Sequence, residues 1–421
     1  MSYLLSLTNI VLRAGALISR FAITLYIAKY LDLAAVGAYG LIYALTIIAP
    51  AALGFGLDFR VSREIVGMPE EAAALRVRDR LAVNATLYVS AALCALTAVQ
   101  AGIFHPLPHL GVVLVIGLLE SVAFDMHIFL ISLRKSWFAN LLLFFRIAWA
   151  IPFMAIGFVD HGFRDFFVLL LFWLGGLFVT FSVMFFGLRH WPWKQILSAP
   201  VDFPWLIAHL RRSRLIYVSD LSLTGTAFLD RFAVDFVLGL GETGVYIFFL
   251  NIANGLQQLV YAGVVQVAMP KLIEGARHAD PSVLICIIRQ EVLKVVAVYS
   301  VVAIAVYGCI QLILPHISRP ALLLYPWLLP AMLVAMLIRS MSDVLNYGLF
   351  ARNYDTSWAL VNILAVLLTL VFVVASLKIW NLEAVGITLI VTQLLMLWLR
   401  VYAMTGKIEV TNRPPLGSHQ L

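Results

Sequence analysis

RFAITLYIAKYLDLAAVGAYGLIYAL (residues 20–45) and RFAVDFVLGLGETGVYIFFLNIAN (residues 231–254) follow one plan. Each opens on Arg-Phe-Ala, runs apolar, breaks, and starts a second apolar run at Gly-x-Tyr, with Gly37 and Tyr39 in one and Gly244 and Tyr246 in the other. A basic residue closes both: Arg63 lies 24 residues after Tyr39, and Lys271 lies 25 after Tyr246. The Arg-to-Gly spacing differs, 17 against 13, so the match needs a gap, and chance similarity of two apolar runs is the competing explanation. A true repeat puts an even number of spans between equivalents. The halves then share one orientation, related by an axis along the membrane normal, and the substrate path runs between them.

The rest of the chain supports spans. Of 421 residues, 63% are apolar and 12% charged, where a soluble domain carries roughly 25% charged. Mean hydropathy is +0.98. This predicts an all-α integral membrane protein, since the apolar runs are too long for barrel strands. No Lys or Arg precedes the first run, so it is expected to be a retained span and not a cleaved signal peptide. Cys94, Cys286 and Cys309 stand singly and support neither a disulfide framework nor a zinc site.

Twelve spans are predicted, near 5–28, 35–57, 81–104, 110–131, 140–159, 165–188, 214–238, 244–268, 292–314, 321–345, 357–377 and 382–404. The loops after even-numbered spans, with the tail and Arg214 at the edge of the seventh span, hold eighteen Lys and Arg; the opposite loops hold Lys29, Arg164, Arg319 and Lys378. That asymmetry puts both termini in the cytoplasm and accounts for the +7 net charge without nucleic acid. The expected divisions are 1–190 (first six-helix half), 191–213 (cytoplasmic linker), 214–406 (second half) and 407–421 (cytoplasmic tail). Within 196–213, Trp205, Leu206 and Ile207 beside Arg211 and Arg212 suggest a segment lying along the interface. The inside pieces 58–80, 189–213 and 269–291 are too short for a nucleotide-binding or soluble catalytic domain.

Several residues then carry a resemblance. The early arginine of the first span, Leu31 through Val36-Gly37-x-Tyr39-Gly40, Gly54-Phe-Gly-Leu-Asp58 with Arg60 and Arg63, and Asp230-Arg231 followed by Glu242-Thr-Gly-Val-Tyr246 are similar to polysaccharide transporters. The chain resembles the Wzx-type lipid-linked oligosaccharide (O-antigen) flippases of the multidrug/oligosaccharidyl-lipid/polysaccharide (MOP) superfamily. The resemblance spans the whole chain through its twelve helices. It implies a MOP/MATE-like fold of two parallel six-helix halves. It also implies movement of undecaprenyl-pyrophosphate-linked sugars across a bacterial inner membrane by alternating access, for surface polysaccharide, lipopolysaccharide or exopolysaccharide synthesis. Implied partners are that lipid-linked substrate, the bilayer, a polysaccharide polymerase and glycosyltransferases. A multidrug or small-solute exporter of the same fold is the alternative.

Charge inside a span costs roughly 2.5–3.5 kcal/mol at the helix centre, so each such residue needs a reason. Arg13 and Arg20 are seven apart, share one helical face and lie about 10 Å apart along the axis. They are expected to face either a cavity holding a pyrophosphate or partner carboxylates, with Glu120, Asp125 and Asp220 as candidates. Arg146 has no carboxylate at helical spacing and either binds substrate or snorkels. Arg231 and Asp235, and Arg339 and Asp343, are spaced for i,i+4 pairs. Arg13, Arg20, Arg146, Arg231 and Arg339 form the candidate substrate set. Glu120, Asp125, Asp220, Asp235 and Asp343 are candidates for coupling or ion pairing. Lys294 and Arg400 are expected to snorkel, and His127 to be packed.

Other signals are set aside. Gly239-Leu-Gly-Glu-Thr-Gly244 matches G-x-G-x-x-G, but it joins two spans and lacks a βαβ context. His105 and His109 are separated by prolines and have no third ligand. Trp191, Trp193, Trp327 and Trp380 at span ends read as an interfacial belt. No catalytic grouping, metal site or cofactor motif is expected, and a membrane-embedded polymerase would need a larger outside loop.

Overall fold

The computed structural model describes residues 2–102, 109–277, 281–351 and 355–404. Among these it is helical, with no strand. The tail 407–421 and His105 lie outside the described residues.

The first half contains α1 (Ser2–Tyr30), α2 (Leu33–Gly54), α3 (Leu57–Glu64), α4 (Glu70–Gln100), α5 (Leu110–Ser132), α6 (Ser136–Ala148), α7 (Ala150–Val159) and α8 (Phe166–Gly187). After the short α9 (Trp193–Ser198) come α10 (Phe203–Leu238), α11 (Leu240–Val260), α12 (Gln266–Arg277), α13 (Pro281–Ile317), α14 (Leu328–Ala351) and α15 (Asp355–Met404). Nine described helices are long and apolar enough to cross a membrane. The last, Ala359–Met404, has 46 residues, about twice what a ~30 Å hydrocarbon layer requires. It turns back at Asn381, which has left-handed φ of 62°. Counting both arms of α15, with α6–α7 as one span and the charged α1 and α10 added, gives twelve crossings in two halves of six.

The segment expected along the interface folds differently. Asp202 caps α10 by accepting from Trp205 N at 3.1 Å, and the helix runs unbroken from Phe203 through the span. Leu206 is buried, and Trp205 Nε1 donates to Glu64 at 3.1 Å.

Which residues pack across the halves establishes the repeat. A Cβ on Gly37 would lie 2.5 Å from Leu240 O, and one on Gly244 would lie 1.7 Å from Leu33 O. Leu33 precedes Gly37 by four residues, as Leu240 precedes Gly244, so the two contacts are the same contact made reciprocally. A Cβ on Gly40 would meet Ile247, its own counterpart in this register, at 2.5 Å. An isologous contact of this kind requires a two-fold relation, and its axis passes between Gly40 and Ile247. Equivalent residues of α2 and α11 are therefore offset by 207. The element contacts repeat likewise: α1 with α6 matches α10 with α15, and α2 with α5 matches α11 with α14.

The N-half is tied at its cytoplasmic end by Glu70, which accepts from Lys135, from His190 at 2.9 Å and from Trp191 Nε1 at 2.7 Å. These donors, Lys135 foremost, hold the Glu70 carboxyl down at about 2. Trp191 is buried in this tie and does not sit in an interfacial belt, whereas Trp327 and Trp380 are exposed.

Candidate functional site

Two seams join the halves, and the two-fold axis makes them counterparts: α2 against α10, and α11 against α1. The first is sewn shut. Tyr217 donates to Ala52 O at 2.9 Å, Arg60 donates to Arg212 O at 2.7 Å, and Gly56, at φ 67°, lets α10 come so close that a Cβ would sit 3.1 Å from Tyr217 N. The second carries a long hydrogen bond near its outer end, Asn251 Nδ2 to Thr24 Oγ1 at 3.4 Å, and α1 is further tied there to the second half by Arg319, whose Nε donates to Ala28 O at 3.0 Å. Beside it lies a pocket of about 30 Å³ lined by Leu17, Arg20, Phe21, Asn251, Asn254, Gly255 and Gln258. A Cβ on Gly255 or Gly263 would meet nothing within 4 Å.

Arginines of three helices bear electrostatically on the region beside this seam. Arg20 of α1 lies with its Cζ 3.6 Å from the Tyr43 ring centroid and donates to Tyr43 Oη at 2.7 Å. Arg231 of α10 is 1% exposed, its Cζ 4.5 Å from the Phe228 ring centroid, and its Nε and Nη1 have no hydrogen-bond partner among the described residues. Arg20 and Arg231 are close enough to act on one another electrostatically. Arg339 of α14 reaches the same region through its field on Asp230. The nearby carboxylate, buried Asp230, accepts from the Tyr246 hydroxyl and from the Arg231 backbone N–H at 2.9 Å. It makes no side-chain ion pair within 4.0 Å among the described residues. Arg231 thus keeps two unpartnered donors where buried charge is expensive.

This helix arrangement recurs in solved structures. The chain matches an inward-facing multidrug resistance MATE-family transporter of the MOP superfamily with a TM-score of 0.68 at 16% identity, covering 94% of this chain and 96% of that one. It matches the lipid II flippase MurJ, in an inward closed conformation, with a TM-score of 0.68 at 10% identity, covering 96% and 87%. The fold is that of the MOP-superfamily transporters. A MOP transporter from Pyrococcus furiosus, whose binding pocket is described as having reverse polarity, matches with a TM-score of 0.58 at 14% identity, covering 96% and 95%. No family model and no curated protein matches the sequence.

Within the MOP fold the expected site residues separate into two groups. Arg20 and Arg231 act on one another beside the seam, and Arg339 acts on Asp230 from α14. The Arg13 side chain lies outside the described residues. Arg146 is elsewhere: it is buried in the N-half, and its Nε donates to Glu120, which also accepts from Trp173 Nε1 at 2.7 Å. Neither snorkelling nor a place at the seam describes it, because α5 carries a carboxylate to it that helical spacing could not reveal.

Asp125 pairs with Arg80 at 3.2 Å and accepts from Asn84 at 2.9 Å. Asp220 makes no ion pair within 4.0 Å among the described residues and feels the field of Asp58 on α3. None of the three acids considered as partners for Arg20 therefore pairs with it.

The expected i,i+4 pairs are also replaced. Arg231 and Asp235 form no ion pair within 4.0 Å among the described residues, and Arg231 is instead buried against the Phe228 ring. Asp343 accepts from Gln257 at 3.0 Å and lies 3.5 Å from Arg400. Arg400 is 1% exposed and also donates to Ser342 at 2.8 Å, so it does not snorkel. Lys294 does reach outward, pairing with Glu291 at 2.7 Å while half exposed. His127 Nδ1 lies 3.0 Å from Ala139 O, as a packed residue would. Gly239, at φ 84°, makes the turn between α10 and α11, and Leu240 to Gly244 is the first turn of α11.

Counting only charged residues overlooked Asn251, Asn254, Gln257 and Gln258. Four amides within eight residues of one span were a visible signal.

Proposed function

We propose that this protein is a flippase for lipid-linked oligosaccharides, moving undecaprenyl-pyrophosphate-linked sugar units between leaflets by alternating access. The observation that carries this reading is Arg231, buried with two donors unsatisfied and lying within the field of Arg20 from the other half. A buried guanidinium without a protein partner calls for an anion or water, and its planar fork fits phosphate oxygens. A cationic drug would meet repulsion at the same place, which disfavours the multidrug-exporter alternative. The reading places the protein in a bacterial inner membrane beside a polysaccharide polymerase and glycosyltransferases, as a Wzx-type transporter.

Arg20 and Arg339 are each partly exposed, so their truncation should leave the protein folded. Arg20→Ala is expected to abolish polymer export at normal abundance and melting temperature. Arg20→Lys should retain part of it, keeping the charge and losing the fork. Normal export by a stable Arg20→Ala/Arg339→Ala variant would remove these residues from transport.

A further inference from the structure

The two seams differ in chemistry as well as in closure. At the 207 offset, Asn251, Asn254, Gln257 and Gln258 of α11 correspond to Ala44, Ile47, Pro50 and Ala51 of α2. One half thus carries four amides where its counterpart carries none. Packing explains the apolar set, since α2 lies against α10, with Ala44 and Pro50 buried. It does not explain the amides. Gln257 is used by Asp343 and Asn251 touches Thr24. Asn254 is only partly buried and Gln258 is exposed; both line the pocket beside Arg20, and neither has a hydrogen-bond partner among the described residues. Asn251, Asn254 and Gln258 recur at i, i+3 and i+7, which places them on one face of α11. Such a face is costly against lipid and belongs against water or a polar ligand.

We propose that this face of α11, with Phe21, is a saccharide subsite that binds the sugar portion of the substrate next to the arginines that hold its pyrophosphate. This rests on the flippase reading above and adds to it the group that tells a glycosylated carrier from a bare one. The chemistry fits. Each amide offers two donors and an acceptor, which matches vicinal hydroxyls that both donate and accept. Phe21 lines the same pocket and supplies an apolar surface for the C–H face of a pyranose. Neutral amides bind no phosphate strongly, so the arginines and the amides divide the ligand between them.

The pocket's 30 Å³ admits only a water or two. Binding a sugar therefore requires α1 and α11 to part beside Gly255, a lining residue of the pocket where an added Cβ meets nothing within 4 Å.

The test is binding by the purified full-length protein in nanodiscs, with two probes: undecaprenyl pyrophosphate, and undecaprenyl pyrophosphate bearing one N-acetylhexosamine. Wild type should bind the glycosylated probe more tightly. Asn254→Leu/Gln258→Leu should weaken that probe about tenfold, as expected for two neutral hydrogen bonds, and leave the bare probe within about twofold. Gly255→Leu fills open space without meeting backbone and should act the same way, which covers the case that the double variant folds poorly. Arg20→Ala should weaken both probes. Equal loss of both probes in the amide variants, or no loss of either, would overturn the subsite and leave the flippase reading intact. Wild-type binding of neither probe would overturn the flippase reading and the subsite with it.

Discussion

Truncating Arg146 separates a structural ion pair from a transport residue. Its side chain is 9% exposed and that of Glu120 is 4%. Glu120 has two donors, Arg146 Nε and Trp173 Nε1, the latter at 2.7 Å. Arg146→Met keeps most of the stem volume and removes the charge, leaving Glu120 with the indole N–H alone in a low-dielectric site. Breaking a buried pair from one side costs about 3–5 kcal/mol. Arg146→Met/Glu120→Gln removes both charges and keeps an acceptor for Trp173. Replacing both partners of such a pair is often near neutral, so most of the stability should return. Equilibrium unfolding in bicelles, read as a double-mutant cycle, should show a coupling of about 2–3 kcal/mol, near the upper end of what neighbouring residues give. The double variant should also regain export. If Arg146→Met is as stable as the parent yet fails to export, the pair is not structural and Arg146 belongs with the arginines at the seam.

Three further outcomes follow from the geometry. Gly244→Ala puts a methyl 1.7 Å from Leu33 O, so the halves cannot close at their outer ends; cysteine labelling from outside at the central seam should rise and transport should fall. Glu70, held at about 2 by its donors, contributes stability that is present above its usual 4.5 and lost as pH falls from there toward 2. Because its side chain is 43% exposed, Glu70→Gln should cost only about 0–1 kcal/mol at neutral pH, measurable as a small melting shift that vanishes near pH 2. Phosphatase fused after Asp160 or Arg319 should be active and after Lys135 or Lys194 inactive; activity at both inside positions would overturn the twelve-span topology.

The spans were legible because hydropathy acts locally: each run near 20 residues reports its own preference for lipid, and the Lys and Arg loops report orientation. The Gly-x-Tyr repeat was legible as well, although its significance depended on contacts no sequence displays. Gly37 meeting Leu240 while Gly244 meets Leu33 shows the two-fold relation directly. The amides of α11 were equally open to inspection and were passed over, since attention to charge alone misses neutral polar groups that lipid also rejects.

Ion-pair partners were the part that local spacing could not supply. Arg231 and Asp235, like Arg339 and Asp343, sit four apart, yet among the described residues neither pair forms within 4.0 Å. Arg146 has no carboxylate on its own helix and finds one on α5. Spacing along a helix determines only which groups share a face; in a bundle each face meets other helices, and a buried charge goes to the best-placed partner in three dimensions. The sequence by itself thus determined that the chain crosses a membrane many times and which residues repeat, and it sets the orientation that the fusions test. Tertiary packing decided how the two seams are joined, and which buried arginines find a carboxylate within their own half.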